Sequence, residues 1–266
     1  MSPEDPQDPE TPDSAMEAEF DTVAAWTEEA IAALGADHAI PAACRGSGSP
    51  ADLAWLARGL DVGGDARFLD AGAGLGGPAA WLVEHLAGRW SGRPVLAEPM
   101  VHAARSARRL FGFPTVAAVT ESLPLPTGST DVAWSLGVLC VTPSRPQMLA
   151  ELHRVLVPGG RLGLLVLQQG DAPLPEQPEG NDFPTHDALA AQLADAGFRV
   201  DDEIDAARLP GAPAGWDERA DRVAEHVRRH HGDHPAHRQA DEQGRVMGRL
   251  LSERLVTTRL LLTTAV

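Results

Sequence analysis

The chain contains no lysine and no tyrosine, and its 266 residues include only two cysteines, Cys44 and Cys140. Two thiols exclude a disulfide framework and a multi-thiolate metal centre. All 22 basic residues are arginine, set against 38 acidic ones, for a net charge of −16. No basic surface is available to release counterions from phosphates, which argues against a nucleic-acid partner. An anionic membrane surface is disfavoured for the same reason. No apolar run approaches the roughly 20 residues that span a bilayer, and the acidic N-terminus is unlike a signal peptide. These absences imply a reduced, cytoplasmic protein.

What is present describes a folded chain. A content of 43% hydrophobic and 23% charged residues is that of a globular protein, and the length suits one large α/β domain with a modest appendage. Residues 1–15 repeat proline at every third position, Pro3 to Pro12, among acidic residues. They are predicted to form a disordered acidic tail, leaving 16–266 as the folded domain.

From Met16 a helical period places Phe20, Val23, Ala24, Ile31 and Leu34 close to one face, stopped by Gly35. A loop is expected over 36–50, then a short helix from Pro50 to Leu60. Strands follow at 67–72, 93–99, 114–120, 130–136, 161–168 and 198–204. Helices are expected between them at 76–88, 100–112, 144–160 and 185–198. Such alternation implies a parallel sheet covered on both faces. Residues 169–184 read as a Pro/Gly-rich loop, 211–252 as two polar helices with a His-rich joint, and LLLTTAV as a last strand.

The segment FLDAGAGLGGPAAWL, residues 68–82, carries the chemistry. A buried strand delivers Asp70 to its C-terminal end. Gly72, Gly74 and Gly76 let the backbone turn tightly and approach a ligand, and the helix that follows points its positive end at the same place. A dinucleotide-binding loop offers a similar pattern. However, Asp70 precedes the first glycine, where it would repel a pyrophosphate but suits an ammonium or sulfonium group. The spacing G-A-G-L-G also departs from G-x-G-x-x-G.

Taken with four further blocks in order (VLAEP, ESLPLPTGSTDVAWSLGVL, ELHRVLVPGGRLGLL and FPTHDALAAQLADAGFRV), the sequence resembles the class I S-adenosylmethionine-dependent methyltransferases. The resemblance spans roughly residues 35–200 and is closest to small-molecule enzymes of the ubiquinone/menaquinone and sarcosine/dimethylglycine types. It implies a Rossmann-like, seven-stranded, mostly parallel sheet with helices on both faces. It also leaves a helical cap from about 16–60 and 205–252. Asp70, Gly72, Ala73, Gly74 and Gly76 would cradle the methionine part of the cofactor. Glu98, ending the second strand, would bind both ribose hydroxyls, since one carboxylate can accept two hydrogen bonds. Pro99 and Met100 would lie towards the adenine. The acidic residue usual after the third strand is replaced by Val119, so the adenine amino group falls to Glu121, Thr120 or backbone groups, with Ser122 beside them in the cofactor site. Leu136 and Gly137 would run past the sulfonium, and Arg45 would pair with the cofactor carboxylate.

Methyl transfer needs alignment more than a reactive side chain, so the acceptor site is weakly marked. Cys140 reads as an apolar wall, Gln168 and Gln169 as substrate contacts or loop polarity, and His153 as packing. His38 is the best-placed group to act as a base. The five histidines of 225–238 read as a solvated joint and not as a metal site. The function implied is methylation of a small-molecule acceptor in natural-product biosynthesis, and a homo-oligomer is compatible with it. The alternatives are a non-methylating step on the same fold, such as a cyclisation, and a non-catalytic binding partner.

Overall fold

The structure, a computed structural model, describes residues 15–266; the tail read from 1–15 lies outside them except for Ala15. Seven strands form one sheet: β1 (Phe68–Ala71), β2 (Val95–Ala97), β3 (Thr115–Val116), β4 (Thr130–Leu136), β5 (Leu156–Gln169), β6 (Phe198–Asp205) and β7 (Val256–Ala265). Their spatial order is β3-β2-β1-β4-β5-β7-β6. β1 to β5 run parallel, and β7 lies antiparallel between β5 and β6. The expected sheet is therefore present. The chain reverses beside β1, where β2 follows on one side and β4 on the other. This is the switch point at which open α/β sheets bind ligands.

Both faces are covered, which buries all of β1 and six of the seven residues of β4. On one face Leu69, Ala71, Ala133, Leu162 and Leu164 pack against α6 (Arg145–Val155) and α7 (His186–Asp195). On the other, Phe68, Trp134, Leu165, Leu260 and Leu262 pack against α3 (Pro50–Leu60) and α4 (Gly77–His85). The core thus draws alternate residues of each strand to opposite sides. Asp70 and Trp134 share the α3/α4 face.

α3 starts at Ser49 in a capping box with Asp52, with Pro50 in the first turn, which makes its start legible in sequence. It lies on the sheet through Leu53, Leu56 and Leu60. The expected cap span 16–60 therefore divides, and only its first part lies off the sheet. That part is α1 (Ala15–Leu34) and α2 (Ala39–Ala43). α2 corrects the loop expected over 36–50. It carries Pro41 within its first turn, where a missing N–H costs nothing, and it has no side-chain cap at its start.

Two further boundaries move. The helix expected to reach residue 160 ends at Val155, because Leu156 pairs with Thr130 and opens β5. β3 is confined to two residues, paired with Leu96 and Ala97 of the three-residue β2.

α1 packs across α5 (Val101–Phe111), α8 (Trp216–His231) and α9 (Pro235–Ser252). Asp21 fixes it there. One carboxylate oxygen accepts from the backbone N–H of His102 (2.8 Å) and of Ala103 (3.0 Å), and the other meets His102 Nδ1 at 2.7 Å. These are donors of the first turn of α5, whose own N-cap, Met100, offers no side chain. A carboxylate from another helix thus completes the turn and faces the positive end of its dipole.

Candidate active site

The loop between β1 and α4 is held from below by β2. Gly72 N–H and Ala73 N–H both donate to Ala97 O, at 2.8 and 3.1 Å. Gly72 has φ +78, and a Cβ there would fall 2.3 Å from Val138 Cγ2, so the position needs glycine both for its conformation and for the close approach of the β4 loop. Gly74, with φ +52, has nothing within 4 Å of the corresponding point. That open side is where the loop can receive a ligand.

Glu98 closes the loop. Only 1% exposed, it accepts Gly74 N–H on Oε2 at 2.7 Å and Met100 N–H on Oε1 at 2.9 Å. Met100 leans under the cap against Leu75, Ala43 and Ala103, while Pro99 is exposed.

Asp70 is also 1% exposed, and its Oδ2 has no hydrogen-bond partner. Burial lifts its carboxyl to about 7, the Trp134 indole opposes the rise, and the nearby Glu98 adds to it. The Cys44 thiol is in turn pushed up, first by burial and then by the Asp70 charge. A buried carboxylate with one unpartnered oxygen beside an open glycine cradle fits a ligand that carries a cationic ammonium or sulfonium group and a ribose. The carboxylate acceptors present therefore fit S-adenosylmethionine.

The raised carboxyl has consequences for pH. The folded chain holds a proton that the unfolded chain releases. This contribution to stability is present below the ordinary aspartate range and is lost as pH rises through about 7. A cation brought to Asp70 favours the charged form. Cofactor binding near pH 6 is thus expected to release up to about one proton. Calorimetric titrations of S-adenosylhomocysteine in buffers of different ionisation enthalpy would measure it, and Asp70→Asn should abolish the buffer dependence.

The loops after β3 and β4 meet at Glu121. Thr120 Oγ1 donates to its Oε2 at 3.2 Å, and Thr142 donates to Oε1. Ser122 N–H turns back to Val119 O, leaving Val119 exposed. Leu136 is buried, and Gly137 donates to Leu165 O at 2.9 Å. A Cβ at Gly137 would lie 2.9 Å from Gly46 O, so the turn carrying Arg45 closes directly over the end of β4.

Arg45 is exposed, and its charge acts on the buried carboxyl of Glu19, which burial raises and Arg45 lowers. Asp70, the glycines, Glu98, Met100 and Gly137 are thus brought together, and Thr120, Glu121 and Ser122 form the adjoining rim.

Other expected residues are placed elsewhere. His38 stands at the start of α2 with Nδ1 3.3 Å from Gly35 O, at the opposite end of that helix from Cys44. Gln168 faces α7 and β6 in a pocket of about 250 Å³ with His186 and Glu203. Cys140 sits in an apolar cluster with Phe183, Val246 and Leu250, its thiol pushed up to about 11 by burial.

A cavity of about 670 Å³ lies between α1, α2, α8 and α9. Val23, Pro41, Cys44, Arg45, Trp216 and His237 are on its wall. His237 belongs to the run read as a solvated joint. Its neighbours in sequence are exposed or half-exposed, but its own side chain is only 9% exposed. The signal for this was the apolar spacing of Val223 with Val227 and of Val246 with Leu250, which gives both polar helices a buried stripe. Among the described residues, no group of three or more His, Cys, Asp or Glu is placed to hold a metal, and no helix is long and apolar enough to cross a membrane.

The chain is similar to known proteins in sequence and in fold. Residues 69–164 match the methyltransferase domain family. The methyltransferase GfsG of Streptomyces halstedii is 34% identical over 109 residues, covering 40% of this chain and 39% of that protein. The demethylmenaquinone methyltransferase of Thermus thermophilus is 30% identical over 189 residues, covering 58% and 85%. The chain thus spans well under half of GfsG and most of the Thermus protein. Among solved structures, the [4+2]-cyclase SpnF superposes with a TM-score of 0.61 at 20% identity over 80% of this chain and 79% of that one, a likeness of fold alone.

Proposed function

Because the chain belongs to the class I S-adenosylmethionine-dependent methyltransferases, we propose that it methylates a small-molecule acceptor, in natural-product metabolism, held in the cavity beneath α1, α2, α8 and α9. The observation that carries this reading is the wall shared by that cavity and the cofactor loop. Cys44 lines the cavity and lies within electrostatic reach of Asp70. Likeness to a demethylmenaquinone methyltransferase supports a small organic acceptor.

When bound, S-adenosylmethionine supplies an activated methyl group. Asp70 would bind the cationic methionine end of the cofactor, Glu98 its ribose hydroxyls, and Arg45 its carboxylate. The adenine would rest against Met100, with its amino group towards Thr120, Glu121 or Ser122. Leu136 and Gly137 would align the methyl end towards the cavity. The cap helices would exclude water, which strengthens these contacts.

S-adenosylhomocysteine should raise the melting temperature. At a hundredfold excess over Kd the gain is about 2.7 kcal/mol, several degrees for a chain of this size. The absence of both binding heat and a thermal shift at saturating ligand would overturn the reading. SpnF has a similar fold, so the fold by itself does not fix the reaction. Formation of S-adenosylhomocysteine together with a product heavier by one methylene separates transfer from cyclisation.

A further inference from the structure

We propose that His237, oriented by Asp241, is the general base of this methyltransferase, and that its acceptor reacts through a hydroxyl of the phenol or enol class. This rests on the cavity being the acceptor site.

Among the five histidines of 225–238, His237 is the buried one. It lines the cavity from the first turn of α9, one helical turn before Asp241, which lines it too. Its Nδ1 is buried, has no hydrogen-bond partner and lies 3.4 Å from Asp241 Oδ2. A small rotation closes that gap to a hydrogen bond, and such bonds are commonly long in ligand-free sites. With Nδ1–H committed to Asp241, the tautomer is fixed and Nε2 becomes the proton acceptor.

The other charged groups on the wall are Arg45 from the α2–α3 turn and Asp221, Glu225 and Arg228 from α8. α1 contributes the neutral Val23 and Thr27. Glu225 is already engaged by Arg228 and Arg229, which hold it at about 2. Asp241, about half exposed, is thus the carboxylate set one turn from the imidazole.

The rest of the wall selects the acceptor. Trp216 offers a flat aromatic face, and Val23, Pro41, Val223 and Val227 an apolar surface. A volume of about 670 Å³ lies in the range that encloses a drug-sized ligand. A nucleophile that is neutral and aprotic would have no use for a buried imidazole with a carboxylate behind it. A hydroxyl attached to an unsaturated ring does. In the step itself the acceptor O–H bond breaks and its proton passes to His237 Nε2. The oxygen pair forms the O–CH3 bond, and the carbon–sulfur bond breaks with its pair kept by sulfur. The imidazolium is balanced by Asp241, which can pass the proton to solvent.

The test uses the full chain saturated with S-adenosylhomocysteine and 4-nitrophenol as the probe, at a pH where the free probe is mostly the neutral phenol. Bound probe should show the visible phenolate band. His237→Gln should reduce bound phenolate at least tenfold, and Asp241→Asn should reduce it severalfold. Asp241 is half exposed, so that variant keeps the inference testable if His237→Gln does not fold. With S-adenosylmethionine in place of the product, methylation of the probe should fall about a hundredfold or more in His237→Gln.

Probe that binds without phenolate, an undiminished band in the variants, or no binding of the probe would each overturn the inference. Retained binding of S-adenosylhomocysteine in those cases would leave the methyltransferase reading standing, whereas its loss in the unmodified chain would remove that reading as well.

Discussion

Glu98→Ala is expected to weaken S-adenosylhomocysteine binding by at least about tenfold, since each lost charge-assisted hydrogen bond is worth about 1.5–3 kcal/mol. The effect should be larger than a ribose contact alone would give. The carboxylate already accepts Gly74 N–H and Met100 N–H in the ligand-free site. Its removal therefore leaves two backbone donors without an acceptor in a place only 1% exposed at the side chain. The glycine loop and the start of α5 lose their common anchor, and the melting temperature should fall with the affinity. Glu98→Gln should be intermediate, because an amide keeps one oxygen but turns an N–H against the second donor. Calorimetry and thermal melting on the three proteins would check this. An affinity unchanged in Glu98→Ala would mean that the end of β2 does not face the cofactor.

The contrast between the parts that were legible and those that were not has a physical basis. β1 and β4 are buried runs that each end at a glycine, Gly72 and Gly137, and α3 announces itself with a capping box and a proline, so local sequence determines them; β7 was read only from Leu260, because its first residues are half-buried apart from Val256. The glycine loop was readable because it combines a backbone requirement at Gly72 with a charge requirement at Asp70. α2 was missed because nothing caps its start and Pro41 reads as a loop signal. Its helicity comes from packing against α4 and α8, which is a property of tertiary structure.

His237 was missed for a related reason. The run around it is dominated by charged and exposed side chains, and only the burial of one helical stripe separates it from its neighbours. The bonds that Glu98 makes to Gly74 and that Asp21 makes to α5 join residues 24 and about 80 positions apart. No local pattern encodes such pairings. His38, read as a base from its position in the chain, stands at the start of α2, whose other end, Cys44, lies beside Asp70.

That short helix is also where the largest mechanical effect is expected. Gly77, the first residue of α4, lies beneath α2. A Cβ there would stand 2.4 Å from Ala43 C, 2.6 Å from Ala43 O and 2.7 Å from Cys44 N. All three are backbone atoms, so no rotamer change relieves the overlap, and trimming a side chain of α2 cannot rescue it. Gly77→Ala should cost about 1–3 kcal/mol by overpacking. Gly77→Val should cost more and displace α2 from the loop. Because Cys44 sits between Asp70 and the cavity, the displacement should weaken S-adenosylhomocysteine binding and probe binding together.

Gly74→Ala is the control. Its added methyl meets nothing in the ligand-free protein, so only the left-handed backbone is penalised, by about 1–2 kcal/mol, while the methyl projects towards the space assigned to the cofactor. Gly74→Ala should therefore lose cofactor affinity and keep its hold on 4-nitrophenol, whereas Gly77→Val should lose both. Melting curves and two binding titrations on each variant decide the matter. If Gly77→Val melted and bound like the unmodified chain, the close packing of α2 on the cofactor loop, and with it the shared wall between cofactor and acceptor, would have to be abandoned.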